Sequence, residues 1–317
     1  MKKVIQRGVS LLGLLVFFVL LAGCGGGQNA SSASSAASAV QAESQTQDTA
    51  AAQGNIRIKM LNVGQGDAIL IQTSEQNVLI DTSDVDERDK LRAELKKAGV
   101  QKIDKVILTH PHADHIGGMD VLLDGSYTIG TVYDNGMPST SKLYLGYRKK
   151  LKSLNITHQA LEEGDVLDLG DGAKFTVLSP SEKLVAAGQQ KGYKHDPNNE
   201  SIVGRLSFGS FSMLFTGDAE KETEQSILTG HAAELKSTVL KSPHHGSKTS
   251  SSKEYLRAVQ PEVCLISCGQ NNDYGHPHKE TLKKYQAIHA KVYETDKNGT
   301  ITVQSDGKTY TAEEEQP

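Results

Sequence analysis

The chain carries the sequence VILTHPHADHIGG at residues 106–118. Its first three residues, Val106, Ile107 and Leu108, form an apolar run typical of a buried strand. The next part places three histidines and one aspartate within six residues, where a tight loop can aim alternate side chains inward. Imidazole and carboxylate groups are common ligands of Zn, Mn and Fe. This segment therefore predicts a metal site at the end of a strand.

The spacing inside this loop divides the ligands between two ions. His110 and His112 can share one ion, while Asp114 and His115 reach a second. The alternative is a solvated, histidine-rich turn that binds no metal. That alternative gives no reason for an acid between the second and third histidines, or for the glycine pair that follows. We therefore favour the metal site, and as part of it Asp114 is also predicted to be catalytic.

A second group of candidate ligands lies far along the chain, because a hydrolytic two-metal site needs a bridging carboxylate and further nitrogen ligands. The apolar run at residues 211–216 ends in a glycine, which lets the backbone turn sharply, and then in Asp218. Asp218 is the predicted bridging ligand. Residues 239–247 repeat the order of strand, proline and paired histidines. One of His244 and His245 should complete the ligand shell of the second ion, and the other should face substrate. His244, the first histidine after the strand, is the nearer analogue of His110, but spacing leaves both open.

The N-terminus is typical of a secretory signal. Three basic residues within the first seven precede an uncharged, mainly apolar stretch at residues 8–22, which is shorter than the roughly 20 residues that span a bilayer. The sequence Leu21-Ala22-Gly23-Cys24 resembles the lipobox of bacterial lipoproteins. That resemblance implies removal of residues 1–23 and a diacylglyceryl group on Cys24, which would hold the protein, without a transmembrane helix, at the outer face of the cell membrane. The alternative is ordinary cleavage with release.

Composition divides the rest of the chain into two parts. Residues 24–54 are mostly Gly, Ser, Ala, Gln and Thr, which bury too little apolar surface to offset ordering entropy, so they predict a flexible stalk. Residues 55–317 contain no internal linker and predict one domain.

The formal net charge of −4 excludes a global basic surface for nucleic acid, so a polyanion would be attracted locally, for example by Lys241 and Lys248. The basic run at residues 148–152 favours a solvated helix face.

The order of the periodic segments predicts an α/β fold. Alternation at residues 56–61 and two apolar runs after it indicate an antiparallel meander, and helical and strand patterns then follow one another. The final apolar segments, at residues 292–293 and 301–303, are expected to close the chain as a hairpin. The two ligand-bearing halves look alike, and two sheets packed face to face, with helices outside, would bring both ligand loops to one edge.

The remaining cysteines do not predict a disulfide or a sulfur ligand. Cys264 and Cys268 lie on one apolar run, and if that run is a strand their Cα atoms are about 13 Å apart, beyond the roughly 7 Å limit for a disulfide. Two buried free thiols are expected.

Five short motifs accompany these residues: LNVGQGDA at residues 61–68, LID at 79–81, TGD at 216–218, HHGS at 244–247 and YGHPH at 274–278. With the ligand loops in hand, the chain resembles the metallo-β-lactamase-fold hydrolases, whose fold is a four-layer αββα sandwich with a dinuclear site at one edge. Within that superfamily the five motifs look like those of the hydrolase domain of ComEC-type DNA-uptake proteins, and the match covers nearly everything after the stalk.

The resemblance implies roles for individual residues. The implied ligands are His110 and His112 for the first metal, Asp114 and His115 for the second, and Asp218 as the bridge. Asp81 would orient a ligand histidine, because a carboxylate that accepts the far imidazole N–H fixes the tautomer. Asp67 would do the same or cap its own turn.

One position departs from the usual superfamily pattern. The loop before the strand that leads to the bridging aspartate usually supplies a further histidine to the first metal, and here Asn199 stands nearest that position. Asn199 is therefore expected to be a weak oxygen ligand or a substrate contact, with His195 as the other candidate. A shell poorer in nitrogen makes Mn a serious candidate beside Zn.

The expected reaction is phosphodiester hydrolysis by a metal-bridging hydroxide, on nucleic acid or a phosphorylated surface polymer. His276 or His278 would protonate the leaving oxygen or hold a phosphate oxygen, unless both simply begin a helix. Ser247 and Lys248 would donate to the remaining oxygens of the substrate.

Two other functions remain open from the sequence. One is acyl hydrolysis of a β-lactam or lactone at the same site, which would need an apolar pocket. The other is a noncatalytic component of a DNA-uptake or wall-remodelling machine, against which the intact ligand set argues.

Overall fold

Two β-sheets form the centre of the protein in the computed structural model, which describes Ala52 and residues 54–315. The strands, in chain order, are β1 Ile56–Met60, β2 Ile69–Gln72, β3 Asn77–Ile80, β4 Lys102–Ile107, β5 Thr128–Asp134, β6 Thr157–Ala160, β7 Val166–Gly170, β8 Ala173–Ser179, β9 Val203–Phe208, β10 Phe211–Phe215, β11 Val239–Lys241, β12 Val263–Ile266, β13 Lys291–Glu294, β14 Ile301–Ser305 and β15 Tyr310–Glu314.

Each sheet is antiparallel at one side and parallel at the other. The first has the order β15-β14-β1-β2-β3-β4-β5-β6, and it is parallel from β3 to β6. The second has the order β13-β12-β11-β10-β9-β8-β7, and it is parallel from β10 to β13. The carboxyl ends of parallel strands meet at one edge of a sheet, where α/β proteins place their sites.

Helices cover the outer faces of both sheets. In chain order they are α1 Arg88–Lys97, α2 Ala113–Ile116, α3 Met119–Leu122, α4 Lys142–Ser153, α5 Glu182–Gly188, α6 Lys221–His231, α7 Lys253–Val259, α8 Lys279–Ala287 and α9 Thr295–Asn298. Several begin at a serine whose hydroxyl accepts a backbone N–H of the first turn, as Ser141 does from Tyr144 and Ser252 from Tyr255.

Three apolar clusters hold these layers together. The first lies between the sheets and joins residues such as Ile58 and Val78 to Phe175 and Met213. The second packs α1, α3 and α4 on the first sheet, and the third packs α6, α7 and α8 on the second. Strand pairing and all three clusters lie within residues 56–314, so this part of the chain contains its own core. The predicted αββα sandwich is confirmed.

The end of the chain differs from the predicted hairpin. β13 pairs in parallel with β12 in the second sheet, whereas β14 pairs with β1 and β15 in the first. Helix α9 and Gly299, with φ of 68°, carry the chain from one sheet to the other. The hairpin prediction was wrong because a short Asn-Gly connection is compatible with a turn between sheets as well as within one.

Some of the remaining predictions fall on residues that the structure describes, and others do not. Cys264 and Cys268 are both free and buried, as expected. Residues 1–51, which carry the predicted signal, Cys24 and most of the stalk, lie outside the described residues. Among Ala52 and residues 54–315, no helix has both the length and the apolar character needed to cross a bilayer.

Candidate metal centre

The loop after β4 carries most of the predicted ligands. Pro111 follows His110, and α2 begins directly after His112, which stands at its N-cap position. His110 is buried, and its Nε2 atom lies 3.0 Å from Nδ1 of His112. Burial lowers the pKa of both imidazoles, that of His110 well below its usual value. Both rings are therefore neutral near pH 7, which is the state that binds a metal.

Four groups from both sheets converge beside these rings. Asp114, His115, Asp218 and His245 offer ligand atoms that all lie within 4.8 Å of one another. Nε2 of His115 is 3.3 Å from Oδ1 of Asp218, and Nε2 of His245 is 3.6 Å from the same oxygen and 3.4 Å from Oδ2 of Asp114. The sequence prediction placed these residues together, and the structure brings them together.

The inward atoms of this cluster lack hydrogen-bond partners among the described residues. They are Nε2 of His115, Nε2 of His245 and Oδ1 of Asp218, all buried. Unpaired buried polar atoms are costly, and one buried and one partly exposed carboxylate facing two buried imidazoles are stabilised by a cation between them. The donor set of two imidazoles and two carboxylates suits Zn or Mn. The residues present therefore fit a divalent ion.

Groups behind the cluster fix the orientation of both inward histidines. Nδ1 of His115 lies 2.8 Å from Oδ2 of Asp81, whose carboxylate also accepts the backbone N–H and the hydroxyl of Thr109, each at 2.7 Å. Nδ1 of His245 donates to the carbonyl of Ser267 at 2.8 Å. In each ring the far nitrogen is occupied, so Nε2 is left for the cluster.

The electrostatics of the cluster reflect this close packing. Burial opposes ionisation of Asp218, but the neighbouring His115 and His245 lower its pKa well below the usual value. Burial likewise opposes protonation of His115, but the carboxylates of Asp218 and Asp81 raise its pKa well above the usual value, so a cation bound there would take the place of the proton on Nε2. The carboxylate of Asp218 is thus held ionised between the two sheets, as a bridging ligand requires.

A buried ion pair lies behind this centre. The ammonium of Lys241 pairs with Oδ2 of Asp67 and donates to the carbonyl of Gly217 at 2.9 Å, and its side chain is only 1% exposed. Burial opposes its charge, but Asp67 and Asp218 together raise its pKa. The interpretation of Lys241 as part of a surface basic cluster was therefore wrong. Asp67, expected to orient a ligand or cap a turn, is mainly the partner of this lysine.

The paired histidines after β11 differ in position. Both have left-handed backbone conformations, with φ of 49° at His244 and 50° at His245. This turn directs His245 into the buried cluster, whereas His244 stays at the rim, 21% exposed. Nε2 of His244 lies 3.8 Å from Oδ2 of Asp218, and its Nδ1 lies 2.9 Å from Glu220. Geometry thus favours His245 for the cluster and leaves His244 facing the open side.

A cavity of about 350 Å³ opens above the centre. It is lined by His112, Asp114, Asp218, His244, His245 and His276, and also by Gln65, Asp84, Asn198 and Tyr274. The last four were missed by the sequence reasoning. Gln65 and Tyr274 stand inside the quoted motifs, and Asn198 is the immediate neighbour of a predicted residue, so a signal existed for these three.

His276 lines this cavity, and its Nδ1 atom is buried without a hydrogen-bond partner among the described residues. Burial and the nearby His245 and His244 lower the pKa of its imidazole to about 4. The ring is therefore neutral near pH 7 and is poorly suited to protonating a leaving oxygen as an imidazolium. It can still hold a phosphate oxygen through its N–H.

The structure places several other predicted substrate contacts outside this cavity. Oδ1 of Asn199 accepts backbone N–H groups of Glu220 and Thr223 and so caps the start of α6. Nδ1 of His195 lies 3.0 Å from Glu200. Neither residue lines the cavity, because the loop turns Asn198 toward it instead.

The loop after His245 also differs from the expected anion contact. Ser247 is buried, and its hydroxyl lies 2.9 Å from that of Thr249. His278 precedes α8, and its Nδ1 accepts the backbone N–H of Lys248 at 3.2 Å. These contacts stabilise the loop, and the side chain of Lys248 remains exposed.

Comparison with known families identifies the chain. The family described as "Metallo-beta-lactamase superfamily" matches residues 61–270. The chain belongs to this superfamily. It is accordingly a metal-dependent hydrolase by family, and the superfamily binds divalent metals, often two.

Two bacterial proteins are similar to most of this chain. ComE operon protein 3 of Bacillus subtilis (strain 168) is 35% identical over 265 residues, which cover 77% of this chain and 32% of that protein. Competence protein ComA of Neisseria gonorrhoeae is 31% identical over 253 residues, covering 80% and 33%. The chain thus spans about a third of the length of these superfamily relatives.

A solved structure agrees on the fold. The metallo-beta-lactamase fold protein YhfI from Bacillus subtilis aligns with a TM-score of 0.53 at 14% identity, over 79% of this chain and 100% of that one. At this identity the superfamily fold alone is shared.

Proposed function

We propose that this protein is an extracytoplasmic, membrane-anchored phosphodiesterase that works with two divalent metal ions, either Zn or Mn. The observation that carries the proposal is the cluster of Asp114, His115, Asp218 and His245, in which the last three are buried and each has an inward atom without a partner among the described residues. An intact cluster of this kind argues against a purely noncatalytic role.

The ligands would divide between two ions. Asp114, His115 and His245 would hold one ion, His110 and His112 the other, and Asp218 both. Bound there, the ions would lower the pKa of water and offset negative charge that develops on the substrate. Asp81 and the Ser267 carbonyl would keep the two inward imidazoles in the tautomer that presents Nε2.

Bound cations would favour an anionic ester in this cavity. Three carboxylates line it, those of Asp84, Asp114 and Asp218, and two divalent cations with one bound hydroxide would bring the formal charge to zero and offer the cations to phosphate oxygens. Among the other lining groups, Gln65 and Asn198 can donate to phosphate oxygens. An acyl substrate such as a β-lactam would instead need aliphatic side chains around it, and among the described residues Ala113 is the only aliphatic one that lines the cavity.

His276 and Tyr274 would act on the same substrate. The neutral His276 ring lines the cavity, and Tyr274 stacks on it, with centroids 5.6 Å apart and an angle of 18° between the rings. Tyr274 is 65% exposed, so its outer face is free to pack on a substituent of the phosphodiester. Nucleic acid and phosphorylated surface polymers both remain substrates within this proposal.

A substrate panel tests the reaction. Purified protein with added Zn or Mn is assayed on bis-p-nitrophenyl phosphate, single-stranded DNA, a phosphocholine ester and a chromogenic cephalosporin. We expect hydrolysis of phosphodiesters only, its loss with a chelator, and its loss in Asp218→Ala with metal content reduced. Cleavage of the cephalosporin alone, or full turnover by Asp218→Ala, would overturn the proposal.

The anchor is tested separately from the reaction. Cells that produce the chain are labelled with a radioactive fatty acid, with Cys24→Ser as the matched control. Label is expected in the unsubstituted chain and absent from the control. Release of unlabelled protein into the medium would remove the anchor from the proposal and leave the enzyme unaffected.

A further inference from the structure

Helix α4 presents an unusual face to solvent. Five of its twelve residues are Lys or Arg and none is acidic, although the chain as a whole has a net charge of −4. Lys142, Lys149 and Lys152 are all exposed. Their spacing of seven and three residues places them on one side of the helix.

One leucine stands among these lysines. Leu145 is 55% exposed on the same side of α4, whereas Leu154, the C-cap residue, is 50% exposed at the end of the helix. Within the described residues only four large apolar side chains stand out in this way, the others being Val166 and Tyr274. The inner side of α4 is already occupied, since Tyr147 and Leu151 pack in the cluster on the first sheet. Leu145 is therefore not needed for the fold.

Arg148, another basic residue of α4, does not belong to this face. Its guanidinium is turned inward, with Nη1 3.0 Å from Oδ2 of Asp134 and 3.0 Å from the hydroxyl of Tyr144. The face that meets solvent thus carries three lysines without an ion-pair partner among the described residues and one protruding leucine, a pattern typical of helices that lie on anionic bilayers.

We propose that this face of α4, made of Lys142, Leu145, Lys149 and Lys152, docks on the surface of an anionic membrane. The lysines would lie at the lipid phosphates, and Leu145 would enter the boundary between headgroups and acyl chains. The exposed leucine favours a bilayer over nucleic acid, since a nucleic-acid surface attracts the cations but offers no hydrocarbon for an aliphatic side chain.

Two further features support this partner. The proposed lipid at Cys24 would keep the domain close to a bilayer, so that even a weak contact is formed intramolecularly. Helix α4 also packs beside α2, which carries Asp114 and His115. Docking through α4 would therefore hold the edge that bears the metal centre near the membrane surface. This part of the inference rests on the proposed anchoring, but the affinity of α4 for anionic lipid does not.

The chain contains no tryptophan, so a single introduced tryptophan reports on its own surroundings. The full-length variant Leu145→Trp is mixed with vesicles of phosphatidylcholine alone or with roughly one part in three phosphatidylglycerol. We expect a blue shift of the emission and quenching by brominated acyl chains only with the anionic vesicles. Val166→Trp, on exposed strand β7 of the other sheet, is the matched control and should show neither effect.

Charge is tested in the same Leu145→Trp background. Replacing Lys142, Lys149 and Lys152 by Gln should weaken partitioning into anionic vesicles about a hundredfold, whereas Lys253→Gln, Lys279→Gln and Lys283→Gln on α7 and α8 should change it little. An unshifted Leu145→Trp spectrum, or equal losses in the two triple variants, would overturn the proposal. So would unchanged vesicle binding with lost affinity for single-stranded DNA, which would make α4 a nucleic-acid contact. Hydrolysis of soluble bis-p-nitrophenyl phosphate should be unaffected by the α4 substitutions. A failure of the docking proposal can therefore be distinguished from a failure of the proposed reaction.

Discussion

The loop after β4 and the loop after β11 have similar sequences and different structures. Each follows a buried strand and contains a proline and neighbouring histidines. The first loop leads into α2 and supplies four groups to the centre. The second turns through two left-handed residues and sends only His245 into the buried cluster, leaving His244 at the rim. Repeated residue order therefore does not imply repeated geometry, because the backbone of each loop decides which side chains converge.

The largest difference is expected within the second loop itself. His245→Ala should lower the kcat/KM for bis-p-nitrophenyl phosphate by about a hundredfold or more and reduce the amount of bound metal. Loss of a metal ligand should cost at least as much as loss of a residue that only orients a ligand. His244→Ala should retain the metal and lose only about tenfold, the size of one hydrogen bond. Both are measured by elemental analysis and steady-state kinetics. If the two variants lose metal equally, the proposed division between cluster and rim is wrong.

The support behind the two loops also differs. The first loop is supported by Asp81 and the second by the buried pair of Lys241 and Asp67. Lys241→Met should lower the free energy of unfolding by about 3 kcal/mol, because it leaves the buried carboxylate of Asp67 without its partner. The double variant Lys241→Met with Asp67→Leu should recover much of that loss. Urea unfolding of the metal-loaded protein measures both. A single variant as stable as the parent would contradict the assignment of Lys241 and Asp67 as a buried ion pair.

Asp81 supplies the corresponding test for the first loop. Asp81→Asn keeps the size of the side chain but removes the charge beside Nδ1 of His115, and we expect about a tenfold to hundredfold lower metal affinity with a smaller change in stability than in Lys241→Met. Titration with a competing chelator gives the affinity. An unchanged affinity would mean that Thr109 alone orients the loop.

The smallest effect is expected at His276, which packs against the second loop. Its pKa of about 4 lies below the usual value, so the ring is neutral throughout the range from pH 6 to pH 9. His276→Gln should therefore lower kcat/KM by about tenfold through a lost hydrogen bond and leave the shape of the pH profile unchanged. Loss of the alkaline limb of that profile in the variant would instead identify His276 as a general acid.

The fold could be predicted from sequence because its signals are local and periodic. Apolar strands, helix caps and the loop at residues 106–118 each specify their own element, and the order of elements leaves few ways to pack two sheets. The prediction of a hairpin at the end of the chain was wrong for the same reason, since a local turn signal carries no information about which sheet the next strand joins.

By itself the sequence determined that four candidate ligands, His110, His112, Asp114 and His115, lie at the end of one strand, because residues within a six-residue segment must lie close together in space. It also determined that Asp218 follows another strand, because an apolar run precedes it directly. Only the tertiary structure decided that His245 rather than His244 enters the cluster, that Lys241 is buried, and that Asn198 rather than Asn199 faces the cavity. Adjacent residues of the same type are equivalent in a spacing pattern. They become different only when backbone dihedral angles and distant partners, such as the Ser267 carbonyl and Asp67, fix which way each side chain points.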